Sequence, residues 1–430
     1  MSDPKYAVAV IGGATAGAEA ARIFCNAGII TAVFEQNDRP YGKVEDGLPR
    51  WHSNLRKKEY GKIDEKIDHP LVRFVPRTRL GETLNFQELT DVWGFNAVVL
   101  ANGAWRDRPL PIEGIAPFID HGLLYQNAVI YWFNHEHEID YSGLRYEIPD
   151  GTIIVGGGLA SLDVAKVCQF FITRQALSAR GIHVDVLELE ERGIPAVLES
   201  HGLAWEDLKL RGTTVYYRRR IEDMPLSELP KSPNEAQIEK AGRVRRKIAE
   251  KAMQRYLFRI EELHAPTGSL TGPTTDSTDE KRLTGLRFAR TKIEDGRVQQ
   301  TDETVDVSAE LTISSIGAVP APIEGIPMRG ELYDYSDWDL GTFASIPRVY
   351  GVGNVVTGKG NLVASRRHAK FVASHLTDRI ESILTVIENL PPLGTEELAT
   401  IEERIRAAQE KVGYHGRYLD WIKEHTPVEP

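Results

Sequence analysis

The chain has 430 residues, 41% of them hydrophobic and 27% charged, with a net charge of −10. That length predicts two or three domains with ample core, and no run approaches the ~20 apolar residues that a membrane span needs. The acidic balance argues against nucleic acid as the main partner, and two cysteines without a C-x-x-C exclude a four-cysteine iron–sulfur cluster and CxxC-type disulfide exchange.

Both cysteines, Cys25 and Cys168, lie in apolar helical stretches and read as buried small hydrophobes. The chain passes from Met-Ser-Asp-Pro-Lys straight into a strand, so no signal peptide is expected and a reduced, cytoplasmic compartment fits. Residues 6–35 read as strand, glycine turn, helix and second strand. The run 7–11 is apolar on both faces, as in a parallel sheet. Gly12, Gly13 and Gly17 punctuate the turn, and 18–27 carries the small residues of a helix packed close to a sheet. Ala14 stands where the G-x-G-x-x-G fingerprint has its middle glycine, and its methyl is expected to crowd the approach of backbone to phosphate. Glu35 ends the second strand, where a carboxylate can hold the ribose hydroxyls of an adenosine while the helix N-terminus faces a pyrophosphate.

From Gln36 to His52 the sequence is loop-like, followed by a polar helix over 53–68 and strands over 72–76 and 95–100 that lead into Ala101-Asn102-Gly103-Ala104. A second strand–turn–helix unit spans 152–167, with Gly156 and Gly158 at the first two fingerprint positions and Ser161 at the third. Two such units in one chain predict two bound nucleotides. After a long stretch over 170–212, the strand 213–217 ends in Arg218-Arg219-Arg220. Guanidinium groups in the place of an acid select the 2′-phosphate of NADP through bidentate contacts. Residues 240–259 hold eight basic side chains against one acid, Glu250, which suggests a docking face for an acidic protein, or else an ordinary charged helix face. The Thr-, Gly- and Ser-rich stretch 266–279 reads as a mobile loop. Strand-to-turn signals return at Ser314-Ser315-Ile316-Gly317 and Gly351-Val352-Gly353-Asn354, with a helix from about Leu362 and two charged helical pieces after Glu396.

Taken in order, these motifs resemble the adrenodoxin reductase type of ferredoxin–NADP reductase and the related small subunit of glutamate synthase, over roughly 6–375. The resemblance implies an α/β fold of two Rossmann-like dinucleotide-binding domains. The FAD domain would be made of 1–148 and 311–390, with the NADP domain, 149–310, inserted and a helical tail over 391–430. Gly12, Gly17 and Glu35 would hold the ADP half of FAD, and Gly353 and Asn354 would lie along its ribityl and pyrophosphate. Gly156, Gly158, Leu159 and Ala160 would face the NADP pyrophosphate, with Arg218 and Arg219 on the 2′-phosphate and Arg220 beside them. Gly13, Ala14, Ala16, Gln36, Gly42, Gly103, Gly360, Asn361 and Leu362 complete the expected cofactor-binding set, and His52 would stand near the flavin. Two departures bear on the flavin ring: Asn354 follows Gly353 where the family has an aromatic or acidic residue, and Gly358-Lys359-Gly360-Asn361 replaces a Gly-Pro-Thr-Gly turn.

The implied activity is an NADPH-dependent FAD oxidoreductase that passes electrons to a small acidic carrier, a ferredoxin or flavodoxin, docked on 240–259. A dedicated electron-input subunit of a larger complex, a reductase of a small organic substrate and a non-catalytic flavin sensor stay open beside it.

Overall fold

A computed structural model describes residues 4–230, 232–273, 281–358, 360–381 and 391–428. The chain forms two compact units, one of Met1–Arg106, His137–Asp140 and Ala318–Pro430, the other of Asp107–Glu136 and Tyr141–Gly317.

The first unit is built on the expected buried run. All five residues of Ala7–Ile11 are buried, and the strand is hydrogen-bonded in parallel to Ile30–Phe34 on one side and Ala97–Leu100 on the other. Val72–Val75 and Val349–Gly351 extend the parallel sheet, and Thr342–Phe343 and Tyr335–Asp337 add an antiparallel edge. Because both faces are covered, Val8 and Val10 enter one core cluster while Ala9 and Ile11 enter the other. Helix Thr15–Asn26 packs on helix Leu362–Glu381 through small residues. A side chain at Gly17 would begin 1.8 Å from the Gly12 carbonyl oxygen, so only glycine lets this helix lie so close to its turn. The tail is not peripheral: Ile401 and Ile405 enter one core cluster, and Tyr414, Tyr418 and Trp421 the other. Burying each such side chain contributes ~1.5–3 kcal/mol.

The second unit holds a parallel sheet in the order Leu123–Tyr125, Thr312–Ser315, Ile153–Gly156, Thr214–Tyr217, Arg259–Glu262. The first division between units falls at 106/107, where 148/149 was expected, because Leu123–Tyr125 pairs with Thr312–Ser315. The second falls at 317/318 against 310/311. The loop expected over 266–279 is corrected in its first part. His264–Pro273 is a strand paired with Lys281–Glu294, which in turn pairs with Arg297–Ser308. Leu283, Leu286 and Phe288 of the central strand are buried, and that anchoring overrides a loop-like composition. Residues 274–280 lie outside the described residues.

Cys25 and Cys168 are buried and unpaired. Burial pushes the Cys25 thiol up to about 11 and raises Cys168 as well, so both are inert hydrophobes at neutral pH. No helix among the described residues is long and apolar enough to cross a membrane.

Candidate functional site

In the first unit the glycine turn forms a cradle between strand and helix. Gly12 has φ +94°, and a side chain there would begin 2.8 Å from the Ala101 carbonyl oxygen. Gly13 is closed in by Pro40, whose Cβ would lie 2.6 Å away, and Gly42, at φ +48°, faces Ala14. Ala14 is the N-cap of helix Thr15–Asn26 at φ −69°, an ordinary value, and no side chain caps the helix. Thr15 Oγ1 and Asn102 Oδ1 are buried without a hydrogen-bond partner among the described residues. Gly103, at φ +68°, sits next to Trp105, and Gln36 is half-buried after the second strand.

Glu35 is buried at the end of Ile30–Phe34. Its Oε2 accepts the Gly13 N–H at 2.8 Å, and its Oε1 accepts the Asn37 N–H at 3.0 Å. Burial lifts this carboxyl to about 7, against the pull of those two donors. Each carboxylate oxygen has a second lone pair for a ribose hydroxyl.

The turn at Gly353 meets the same cradle. Gly353 has φ +75°, and a side chain there would begin 2.5 Å from the Ala16 methyl. Asn354 Oδ1 accepts the Gly360 N–H at 2.7 Å. Asn361 Oδ1 accepts from Val363 N and Ala364 N and so caps the helix that starts at Leu362. Lys359 lies outside the described residues. The structure thus gathers Gly12, Gly13, Ala14, Ala16, Gly17, Glu35, Gly42 and Gly353 in one place, with Asn354, Gly360, Asn361 and Leu362 joined to it by that turn. His52 ends the short helical turn Arg50–His52, half-buried, its ring 6.0 Å from that of Trp51.

The second unit repeats the geometry with different chemistry. A side chain on Gly156 would begin 2.3 Å from both Ser161 Oγ and the Ser315 carbonyl oxygen, and one on Gly157 would enter the Tyr217 ring. Gly158 caps helix Leu159–Ser178 with open space around it and no side-chain cap. Leu159 and Ala160 are exposed at its first turn. Ser315, from the Ser314-Ser315-Ile316-Gly317 signal, and Gln126, which the sequence did not single out, brace this turn. Ser161 Oγ donates to the Ser315 carbonyl at 3.0 Å, and Ser315 Oγ donates to Gln126 Oε1 at 2.6 Å. A serine at the third glycine position was the available signal.

The three arginines divide. Arg218 is exposed, while Arg219 donates to the Gly296 carbonyl at 3.1 Å and lies 3.7 Å from Asp223. Arg220 is 3.4 Å from the same Asp223. The turn after them is tied down by helix Glu235–Tyr256: Arg246 pairs with Glu222 at 2.6 Å, and Arg245 donates to the carbonyls of Glu222 and Ser227 at 3.3 and 2.8 Å. Arg255 donates to the Glu190 carbonyl, Arg259 to Thr214, and Arg243 pairs with Glu239. Most of the basic cluster is therefore spent within the unit. Lys240, Lys247 and Lys251 are exposed and form no ion pair among the described residues.

No protein-family model matches the chain. It is 23% identical over 384 residues to the mitochondrial NADPH:adrenodoxin oxidoreductase of Arabidopsis thaliana, covering 81% of this chain and 76% of that one. The corresponding protein of Salvelinus fontinalis is 25% identical over 471 residues, covering 98% and 86%. The glutamate synthase [NADPH] small chain of Mycobacterium tuberculosis is 30% identical over 186 residues, 40% of this chain and 34% of that one. Among solved structures, Mycobacterium tuberculosis FprA in complex with NADPH superposes with a TM-score of 0.68 at 18% identity, over 95% of this chain and 91% of that one.

Proposed function

We propose that this chain, a relative of the adrenodoxin reductase type of ferredoxin–NADP reductase, is an FAD-dependent oxidoreductase that moves electrons between NADPH and a small iron–sulfur or flavin carrier. The observation that carries the reading is the pair of glycine turns in one chain. Each opens an uncapped helix; one has an acid at the end of its second strand, the other an arginine.

The residues present fit FAD in the first unit. Unpartnered Thr15 Oγ1 and the free N–H groups of the first helical turn would receive a pyrophosphate. Glu35 would take the ribose hydroxyls, and Gly353 would leave room along the chain of the cofactor. The residues of the second unit fit NADPH: Gly158, Leu159 and Ala160 would line its pyrophosphate, and Arg218 its 2′-phosphate. The chemistry that FAD would supply here is hydride acceptance from NADPH and one-electron release to the carrier. The protein's part is to orient and to hold the nucleotide shape, so no acid–base pair of side chains is required. His52, on the turn Arg50–His52, would stand near the flavin, as the resemblance implies.

The carrier side is part of the same proposal: a small acidic protein, steered by Lys240, Lys247 and Lys251. A cytoplasmic setting is supported by the two unpaired cysteines. The test is NADPH-driven reduction of an acidic [2Fe–2S] ferredoxin by the FAD-loaded protein, followed through cytochrome c. Turnover that depends on the ferredoxin supports the proposal, and NADPH oxidation that ferredoxin leaves unchanged contradicts the carrier assignment.

A further inference from the structure

His368 lies on helix Leu362–Glu381 and touches the Gly353 turn from behind. Its Nδ1 is 3.1 Å from the Gly353 nitrogen, and its Nε2 is 3.1 Å from the Asp339 carbonyl oxygen. A backbone N–H only donates and a carbonyl only accepts, so Nδ1 must present a lone pair and Nε2 must carry the hydrogen. Both partners are main chain and cannot rotate to suit another tautomer. The ring is held as one neutral form that ties three pieces together: the turn, the helix and the segment around Asp339.

The turn has little freedom on its other side. Gly353 is at φ +75°, and its α-carbon faces Ala16 too closely for any side chain. Its position is thus set by Ala16 in front and the imidazole behind. Burial holds the His368 ring below its ordinary range, against the opposing pull of the Asp339 and Trp338 carbonyls. The charged group whose field reaches the ring is the Asp339 carboxylate. Ala16 and Ser365, the side chains nearest the turn, are uncharged, and Arg367 and Lys370 of its own helix are exposed.

We propose that His368 is a positioning residue for the flavin turn, holding Gly353 in place only as the neutral imidazole, so that cofactor binding is gated by a single histidine proton. This rests on the assignment of the Gly353 turn to FAD. Protonation at Nδ1 sets two N–H donors face to face and leaves the Gly353 N–H buried without an acceptor, which opens the turn.

The experiment is the FAD dissociation constant of the apoprotein, from flavin fluorescence between about pH 8 and about pH 4.5, for wild type, His368→Asn and His368→Ala. Asparagine can accept through Oδ1 and donate through Nδ2. Because burial holds the ring below its ordinary range, the wild type is expected to lose affinity mainly at the acid end of the titration, roughly tenfold by its lowest pH. His368→Asn should bind nearly as wild type at neutral pH and keep only the shallower decline that Glu35 gives every variant as it takes its proton near 7, and His368→Ala should be weak throughout. An equally steep decline in His368→Asn, or unaltered binding in His368→Ala, would overturn the proposal. Ring ¹⁵N shifts of the FAD-free protein give a separate readout, expected to show the Nε2–H tautomer. An Nδ1–H tautomer overturns the lock whatever FAD does. The expected tautomer in a protein that binds no FAD at any pH overturns the flavin assignment, and the gating with it.

Discussion

The methyl of Ala14 lies 3.0 Å from the point where a side chain on Gly42 would begin. The fingerprint glycine missing at position 14 is matched by a glycine across the turn. Ala14 keeps an ordinary φ of −69°, while Gly42 takes φ +48° and gives up its side chain beside it. The crowding expected of Ala14 is directed at Gly42. Gly42→Ala is therefore expected to cost roughly 1–3 kcal/mol from the positive-φ backbone alone, with the methyl contact added. Ala14→Gly should be tolerated and should recover the contact part of that loss in the double variant. Thermal unfolding of the four proteins measures this, and strictly additive effects would contradict the contact.

Arg218 is the arginine available to a ligand, because Arg219 and Arg220 lean on Asp223. Arg218→Ala should lower the preference for NADPH over NADH by about 1.5–3 kcal/mol, roughly ten- to hundredfold in binding. Arg219→Ala should show a smaller selective loss together with a lower melting temperature. Titration of each variant with both coenzymes checks the pair.

Arg246→Glu should act on the coenzyme side, since Arg246 holds Glu222 in the turn that follows the arginines. Its expected signature is a raised KM for NADPH. Lys247→Glu with Lys251→Glu should raise the KM for an acidic carrier at low salt and leave NADPH-driven ferricyanide reduction unchanged. Steady-state kinetics at two ionic strengths separate the two faces.

Much of the candidate site's geometry was legible because a glycine turn writes its constraint locally. Gly12, Gly17, Glu35 and Gly156 stand where spacing put them, and their steric reasons lie within a strand and a helix. The parts that were not legible depend on partners far along the chain. Ser315 reaches Ser161 across 154 positions and Gln126 across 189. His264–Pro273 has the composition of a loop and becomes a strand through pairing with Lys281–Glu294. The eight basic residues of 240–259 read as one charged face, yet Arg245, Arg246 and Arg255 find acceptors on other segments. Leu123–Tyr125 joined the second unit because its hydrogen-bonding neighbour is Thr312–Ser315.

Glu35 gives the apoprotein a distinct pH dependence. Its folded-state pKa of about 7 lies above the ordinary 4.5, so the folded chain binds this proton more tightly than the unfolded one. The contribution is present below about pH 4.5 and is lost as pH rises through about 7. The melting temperature of wild type relative to Glu35→Gln should therefore fall across that window. A difference that is flat with pH would show that the carboxyl titrates normally.

Trp421 anchors the tail to the loop behind Glu35. It is buried, donates from Nε1 to the Asp38 carbonyl at 2.7 Å, stacks on His425 and lies under Arg77. Trp421→Ala should destabilise the first unit by about 3–5 kcal/mol, read by urea unfolding. The loop at Gln36–Asp38 should then loosen, with faster amide exchange at Asn37.

The most direct test of the two-nucleotide reading is the visible spectrum of the FAD-loaded protein, titrated without oxygen by NADPH and separately by NADH. The account predicts flavin bands that bleach with about one equivalent of NADPH and far less readily with NADH. A flavin that neither coenzyme bleaches would contradict it.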